Sequence, residues 1–437
     1  MNRRRNTRRR KEIIPGIDNK VFYGIIIVSL AIITIFILML HYKKVDDSTK
    51  VAEEMRKNNN EVTQTLNETN NEIGSTDNYE TNKIIRVSFI GDINSGSKIE
   101  NDNTNYDSIF TDAKEQLKDA DIALGTYSSD VKTDNQKSLA KSVYNSGVDL
   151  LSIATNETNN DQESVEEKRK SLNEIGFETV GQEEEKQEDR VNIIEKRGVK
   201  IAIIGYTAET NSKASKTGIN LYDTEKAQND IKYAKENASF VIVMVNWKNS
   251  QSTEASSKER DIAKELISNG ANIIIGTNSN CLQKFELVET KNTEGQSEDV
   301  QNEEEQNKDE QIENIQDVNL TNQNTQGENE SKQAFIAYSI GNYFSETNIE
   351  KSKIELILNL QIYVDTNGNA DIYKIDYTPM YMYDNKQPLN EQNRFKILNV
   401  KQEISNYDEG KENISSKTYK ELTNGLDSIK KILGIEN

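Results

Sequence analysis

The sequence predicts an α/β layered domain with a mixed sheet or sheets, preceded by a single transmembrane helix. Two observations carry the fold class. Short apolar runs of strand length alternate with amphipathic segments of helical period from residue 84 onward. Near the N-terminus, "VFYGIIIVSLAIITIFILML" (residues 21–40) contains no charge and matches the ~20 residues an α-helix needs to cross a bilayer.

The flanks of that run orient it. Residues 1–20 hold eight basic groups against two acidic ones, and a basic excess marks the cytoplasmic side. No small-residue cleavage site follows; "HYKK" comes instead, so a cleaved signal is not the reading. The expected order is a basic cytoplasmic tail (1–20), a membrane span (21–42), a polar stalk (43–83) and an extracytoplasmic body. His41, the one histidine of the chain, falls at the membrane interface, and Cys281 is the one cysteine. A lone cysteine excludes an intrachain disulfide and a cysteine-based zinc site. The net charge is −19, and since the tail is basic the rest is more acidic still. Such a body repels nucleic acid, and none is expected as a partner.

The elements follow in order. "IIRVSFIGD" (84–92) is a strand, "SIFTDAKEQLKDA" (108–120) a helix, "DIALG" (121–125) a strand and "QKSLAKSVYNSG" (136–147) a helix. Strand "VDLLSIA" (148–154), helix "QESVEEKRKSLNEIG" (162–176) and strand "ETVG" (178–181) continue the alternation. "VNIIEKRGVKIAIIGYT" (191–207) is two strands turning at Arg197-Gly198. Helix 225–237, strand 239–247, helix 257–270 and strand 271–277 come next. "KFELVE" (284–289) and "AFIAYSI" (334–340) pair as a hairpin whose tip holds a polar insertion at 291–333, too poor in apolar residues to form a core. Residues 353–365 and 369–383 are an antiparallel pair turning at "TNGN". The body thus spans 84–383, and 384–437 is an extension carrying a peripheral helix at 416–433.

Ligands in α/β folds gather beyond the C-terminal ends of strands. Asp92, Thr126 to Ser128, Asn156-Glu157, Asn246-Trp247-Lys248, Thr277 to Asn280, and Ser339 with Asn342 all sit at such ends. A single polar strand end is ordinary turn chemistry. Six in register with the alternation point to one site.

The order of these segments from 84 to about 346 resembles the CapA family of poly-gamma-glutamate capsule biosynthesis proteins, relatives of the calcineurin-like metallophosphatases. "FIGDINSGS" is similar to the opening G-D-[IV]-M-x-G block, with Asp92 kept. "DLLSIATNETNND" resembles the S-L-A-N-N-H block, with Asn156 kept and Glu157 in the place of histidine. "VIVMVNWKNS" resembles V-x-x-H-W-G, with Asn246 for histidine and Lys248 for glycine. "GTNSNCLQ" resembles G-x-H-P-H-x-L-Q, with Asn278 and Asn280 for the histidines; "AYSIGNYFS" is close to Y-S-L-G-N-F. The N-L-E block is poorly kept, with Thr126 and Ser128 in its polar places. The resemblance implies a four-layer α/β/β/α sandwich of metallophosphatase type.

Every site histidine of the family pattern is absent. Imidazole supplies both a nitrogen ligand and a titrating proton, whereas an asparagine amide does not titrate and binds metal weakly. The expectation is a catalytically degenerate member, a pseudoenzyme that binds or assembles an anionic surface polymer, with Lys248, Trp247, Ser339 and Asn342 as candidate substrate contacts. Asp92, Asn156, Glu157, Asn246, Asn278 and Asn280 are then vestigial catalytic positions, with no cofactor expected. The alternative is an active hydrolase or transferase in which Asp92, Asn156, Glu157, Asn278 and Asn280 hold Mg²⁺ or Ca²⁺ through oxygen. A third reading is an adaptor whose acidic tract, Glu303 to Asp317, contacts a basic partner; the partners expected on the first reading are the membrane, an anionic surface polymer and capsule-synthesis proteins.

Overall fold

A computed structural model describes residues 83–434, apart from 97–98, 101–105, 157–160, 210–216, 249, 291–317, 320–331, 348–349, 386–393 and 412–413. The tail, the span and nearly all of the stalk lie outside the described residues. Among the described residues, no helix is long and apolar enough to cross a membrane.

The chain enters the fold through β1 (Lys83–Asn94), followed by α1 (Tyr106–Ile109), α2 (Thr111–Leu117) and β2 (Ile122–Tyr127). Then come α3 (Asp134–Asn145), β3 (Leu150–Ser152), α4 (Gln162–Ile175), β4 (Glu178–Val180) and α5 (Gln187–Arg190). The middle of the chain forms β5 (Val191–Lys196), β6 (Val199–Thr207), α6 (Thr224–Asn237), β7 (Phe240–Asn246), α7 (Ser257–Asn269) and β8 (Ile273–Thr277). The remainder is β9 (Phe285–Thr290), β10 (Val318–Asn319), β11 (Lys332–Ala337), β12 (Asn342–Ser345), β13 (Ile354–Val364), β14 (Ala370–Asp384) and β15 (Phe395–Asn399). Helices α8 (Val400–Asp408) and α9 (Ser416–Leu433) close the chain.

Local chemistry explains most boundaries. Thr133 with Gln136, and Ser256 with Glu259, form capping boxes that start α3 and α7. Asp161 and Asp223 accept backbone N–H bonds at the starts of α4 and α6. The β5–β6 hairpin turns on Arg197 and Gly198, both with positive φ (52° and 73°), the conformation a two-residue hairpin needs to match strand twist.

The strands form two sheets. In one the order is β10-β14-β13-β1-β2-β3-β4, with β15 beside β14; in the other it is β5-β6-β7-β8-β11-β9. β1 to β4 run parallel, as do β6, β7, β8 and β11. β1 has an unusual edge: β13 pairs with it antiparallel over Lys83 to Phe89, and β12 takes over in parallel at Asp92. The hand-over falls at Gly91, where a Cβ would collide with the carbonyl of Gly341. Only glycine allows that approach.

Strand alternation sorts side chains into three apolar layers. Ile85, Val87 and Phe89 of β1 meet Ile201 and Ile203 of β6 and Ile242 of β7 between the sheets. Ile90, Ala123 and Leu151 face Leu117, Leu139 and Leu172 of the helices on the first sheet. Ala202, Ile204 and Val243 face Ile231 and Leu266 on the second. The fold is therefore mixed α/β, two sheets face to face with helices on the outer sides.

Four expectations need correction. The helix predicted at 108–120 is broken at Phe110, which sits between α1 and α2 with its ring against Tyr343 and Phe344. The insertion is shorter than 291–333, because β11 starts at Lys332, and Val318–Asn319 pairs with β14. The rest of that segment, including Glu303 to Asp317, lies outside the described residues. The C-terminal helix is not peripheral: Ile429 and Leu433 of α9 belong to the core between the sheets. The extension also supplies a strand, β15, pairing with β14 over Phe395 to Asn399.

Candidate functional site

Residues from both sheets meet at the C-terminal ends of the parallel strands. In the first sheet, Asp92 is the register neighbour of Asn342 on one side and Thr126 on the other, and Thr126 neighbours Ser152. In the second, Thr207, Asn246 and Thr277 stand side by side. A hydrogen bond joins the rows: the Thr277 hydroxyl donates to Thr126 Oγ1 at 3.3 Å, between buried groups. That contact makes the two rows one floor.

Asp92 is nearly inaccessible, at 2% exposure, and the Ser128 hydroxyl lies 2.7 and 2.8 Å from its two oxygens. Burying a carboxylate is costly unless donors face it. Ser128 itself is held because its N–H donates to the Ile93 carbonyl at 3.0 Å.

Across the floor, the asparagines bind one another. Asn278 Nδ2 donates to Asn246 Oδ1 at 3.1 Å and to the Trp247 carbonyl at 2.7 Å. Asn278 and Asn280 both have left-handed backbones, with φ of 70° and 57°. Asparagine is among the few residues other than glycine that visit this region readily. Amides at these positions therefore also suit the turn after β8, a local reason for them that needs no ligand. The turn is tied down by Trp247 N–H to Thr277 O at 3.0 Å and Gln251 N–H to Ser279 O at 2.9 Å.

Two buried amide atoms at the floor find no partner among the described residues: Asn246 Nδ2 and Asn342 Oδ1. Asn342 Nδ2 donates to Ser345 Oγ at 3.1 Å. Ser339, fully buried, accepts from the Gly341 N–H at 3.2 Å. Asn156 follows β3 and Asn280 follows β8, each half-buried. Glu157 lies outside the described residues.

Two candidate contacts, Lys248 and Trp247, have side-chain contacts other than those of the floor. Lys248 points outward, its side chain 70% exposed and its ammonium 3.6 Å from Glu209. Lys258 reaches the same carboxylate at 3.2 Å. Burial opposes ionisation of Glu209, but the two lysines hold its carboxyl below the usual range. Trp247 is fully buried, and its indole N–H donates to the Tyr338 carbonyl at 2.7 Å. No ring face is left for a ligand, so Trp247 is a packing residue. Gly276 makes this possible, since a Cβ there would strike both Tyr338 O and the indole nitrogen.

Chemically, the floor offers amides, hydroxyls and one described carboxylate. Among the described residues, no three of His, Cys, Asp and Glu converge as metal ligands would. Sequence reasoning underrated Thr126 and Thr277, the pair that closes the floor. Their signal was available only as matched positions at two strand ends far apart in the chain.

The model of the family described as bacterial capsule synthesis protein PGA_cap matches residues 86–347, more than half of the chain and every element of the floor. The chain belongs to this family. A curated relative, capsule biosynthesis protein CapA of Bacillus anthracis, is 23% identical over 240 residues, which cover 48% of this chain and 57% of that protein. The capsule-synthesis match thus spans little more than half of the relative's length. Among solved structures, a hypothetical protein from Thermus thermophilus is 12% identical with a TM-score of 0.39, over 68% of this chain and 98% of that one. A Staphylococcus aureus protein solved with α-ketoglutarate bound is 11% identical with a TM-score of 0.40, over 71% and 56%.

Proposed function

We propose that this capsule-synthesis family member is a membrane-anchored, extracytoplasmic component of surface-polymer biosynthesis. On this reading its metallophosphatase-type site has lost the dinuclear metal chemistry and serves polymer binding or assembly. The observation that supports it best is the Asn278–Asn246 hydrogen bond at 3.1 Å. Two of the four positions where the family pattern has histidines, Asn246 and Asn278, are joined to each other by an amide contact. An amide oxygen already accepting a bond is a poor ligand for zinc, iron or manganese, and no asparagine can shuttle a proton.

Metal content and calcium or magnesium titration test the reading. The purified chain is expected to bind no transition metal stoichiometrically, to leave generic phosphoesters intact, and to melt at the same temperature with or without Mg²⁺ and Ca²⁺. A functional hard-cation site would instead add about 2.7 kcal/mol of stability at a hundredfold excess over its Kd. Asp92→Ala would abolish that gain. A saturable rise lost in Asp92→Ala would replace this reading with the oxygen-ligand enzyme.

The topology is tested separately. Protease added to intact protoplasts is expected to remove everything beyond Lys43 while sparing the basic tail, because the arginines precede the uncharged span. A fully protected body would overturn the orientation.

A further inference from the structure

β13 opens beside the floor with an acid that the site does not use. Glu355 is fully buried, and neither carboxyl oxygen finds a hydrogen-bond partner among the described residues. Its register partner on β14 is Met380. Strand alternation puts it on the face of Ile357, within the apolar layer that holds Ile357, Met380 and Phe110. From β12 the titratable group facing it is Tyr343, whose hydroxyl is pushed up first by burial and then by Glu355 itself. Just before β13, Lys353 is drawn away over the Tyr381 ring, 5.8 Å from its centroid. From the turn before β12 the neighbour is Gly341: a Cβ built there would lie 3.4 and 3.6 Å from Glu355 Cα and Cβ.

That turn belongs to the site. Gly341 separates Ser339 from Asn342, and Leu356 N–H donates to the Ile340 carbonyl at 3.3 Å. The start of β13 and the Ser339–Asn342 segment therefore pack as one unit. A carboxylate without donors or a counter-charge cannot stay dry in such a layer; a neutral carboxylic acid can, at far smaller cost. Hydrating the charge requires β13 and the turn to part.

We propose that Glu355 is a neutral acid in the folded chain, and that losing its proton to solvent loosens the Ser339–Asn342 segment, making the site pH-sensitive. The coupling to function rests on the reading that Ser339 and Asn342 belong to the site; the proton chemistry does not.

The direction of the effect is fixed. Burial is what pushes the Glu355 carboxyl well above its ordinary range. An unfolded glutamate loses its proton near about pH 4.3, while the folded one keeps it to higher pH. Across that interval the unfolded chain holds fewer protons, so stability is greatest below it and falls as pH rises. The folding equilibrium constant falls by up to about tenfold per pH unit.

The test compares the full chain with Glu355→Gln, which keeps the shape and cannot ionise. In urea unfolding at successive pH values, the ratio of wild-type to variant folding equilibrium constants is expected to fall as pH rises. Infrared spectra of the wild type at neutral pH should show the carbonyl band of a buried protonated carboxyl, absent from the variant. Amide exchange at Ser339 to Tyr343, corrected for its intrinsic pH dependence, should quicken with pH in the wild type only. Parallel stability curves, or no protonated band, would overturn the assignment. A pH-dependent ratio with unchanged exchange at those amides would overturn the coupling to the site. Should the glutamine variant fail to fold, Glu355→Met, which fills the same space without a carboxyl, takes its place in all three measurements and separates the Glu355 band from that of any other buried acid, such as Glu403. None of these outcomes depends on the metal titration.

Discussion

Trp247→Ala is expected to cost about 3–5 kcal/mol of folding stability, the range for truncating a large aromatic in a core. The side chain is fully buried between β7 and the turn that follows β11, and its indole N–H satisfies the Tyr338 carbonyl. The variant leaves both a cavity and an unpaired carbonyl, which places it toward the upper end. Urea unfolding followed by circular dichroism measures the loss, since the variant has no other tryptophan to report by fluorescence. Trp247→Phe, which fills much of the space but has no N–H, should lose distinctly less. A loss below about 1 kcal/mol in the alanine variant would be incompatible with a core role.

Asp230→Ala is expected to be as damaging for a different reason. Arg190 Nη2 lies 2.6 Å from Asp230 Oδ1, and the Tyr206 hydroxyl donates to Asp230 Oδ2 at 2.8 Å. Asp230 is fully buried and Arg190 nearly so. Removing the carboxylate strands a guanidinium away from water, a change that costs about 3–5 kcal/mol when one partner of a buried pair is deleted. Arg190 also donates to the carbonyls of Glu184 and Glu185, at 2.7 and 3.2 Å, so the segment before β5 should loosen with it. The double variant Asp230→Ala with Arg190→Met should recover much of the loss, because no charge is left behind. Equal instability in the single and double variants would show that shape, not charge, is at stake.

Much of the fold was legible because its strands are buried on both faces or alternate cleanly. "IIRVSFIGD", "VIVMV" and "IIIGT" became β1, β7 and β8 with small boundary shifts. The Arg197-Gly198 turn lies where the sequence places it, since few dipeptides suit that geometry. β12 was missed because "NYFS" is too short to show a period, and its pairing depends on β13 leaving the edge of β1 at Gly91. The C-terminal helix was placed correctly along the chain, but its burial could not be read from its amphipathic pattern alone. At the site, Asp92, Asn246 and Asn278 do gather at one floor. Lys248 and Trp247 lie beside these residues in sequence, yet strand geometry turns one outward to Glu209 and the other inward to Tyr338. Neighbourhood in sequence does not predict direction at a strand end.

The Thr277–Thr126 contact has a kinetic consequence. It joins residues 151 positions apart, and the rows it connects belong to sheets built from different stretches of chain. Closing so long a loop is entropically slow to repay, so docking of the two sheets is expected late in folding, after each has formed its local pairings. The floor does not exist until that docking is complete. Any ligand seated across it would act as a clamp on the docked state, slowing the parting of the sheets even where it speeds no reaction. Occupancy of this site would then be readable as a longer unfolding lifetime of the whole body.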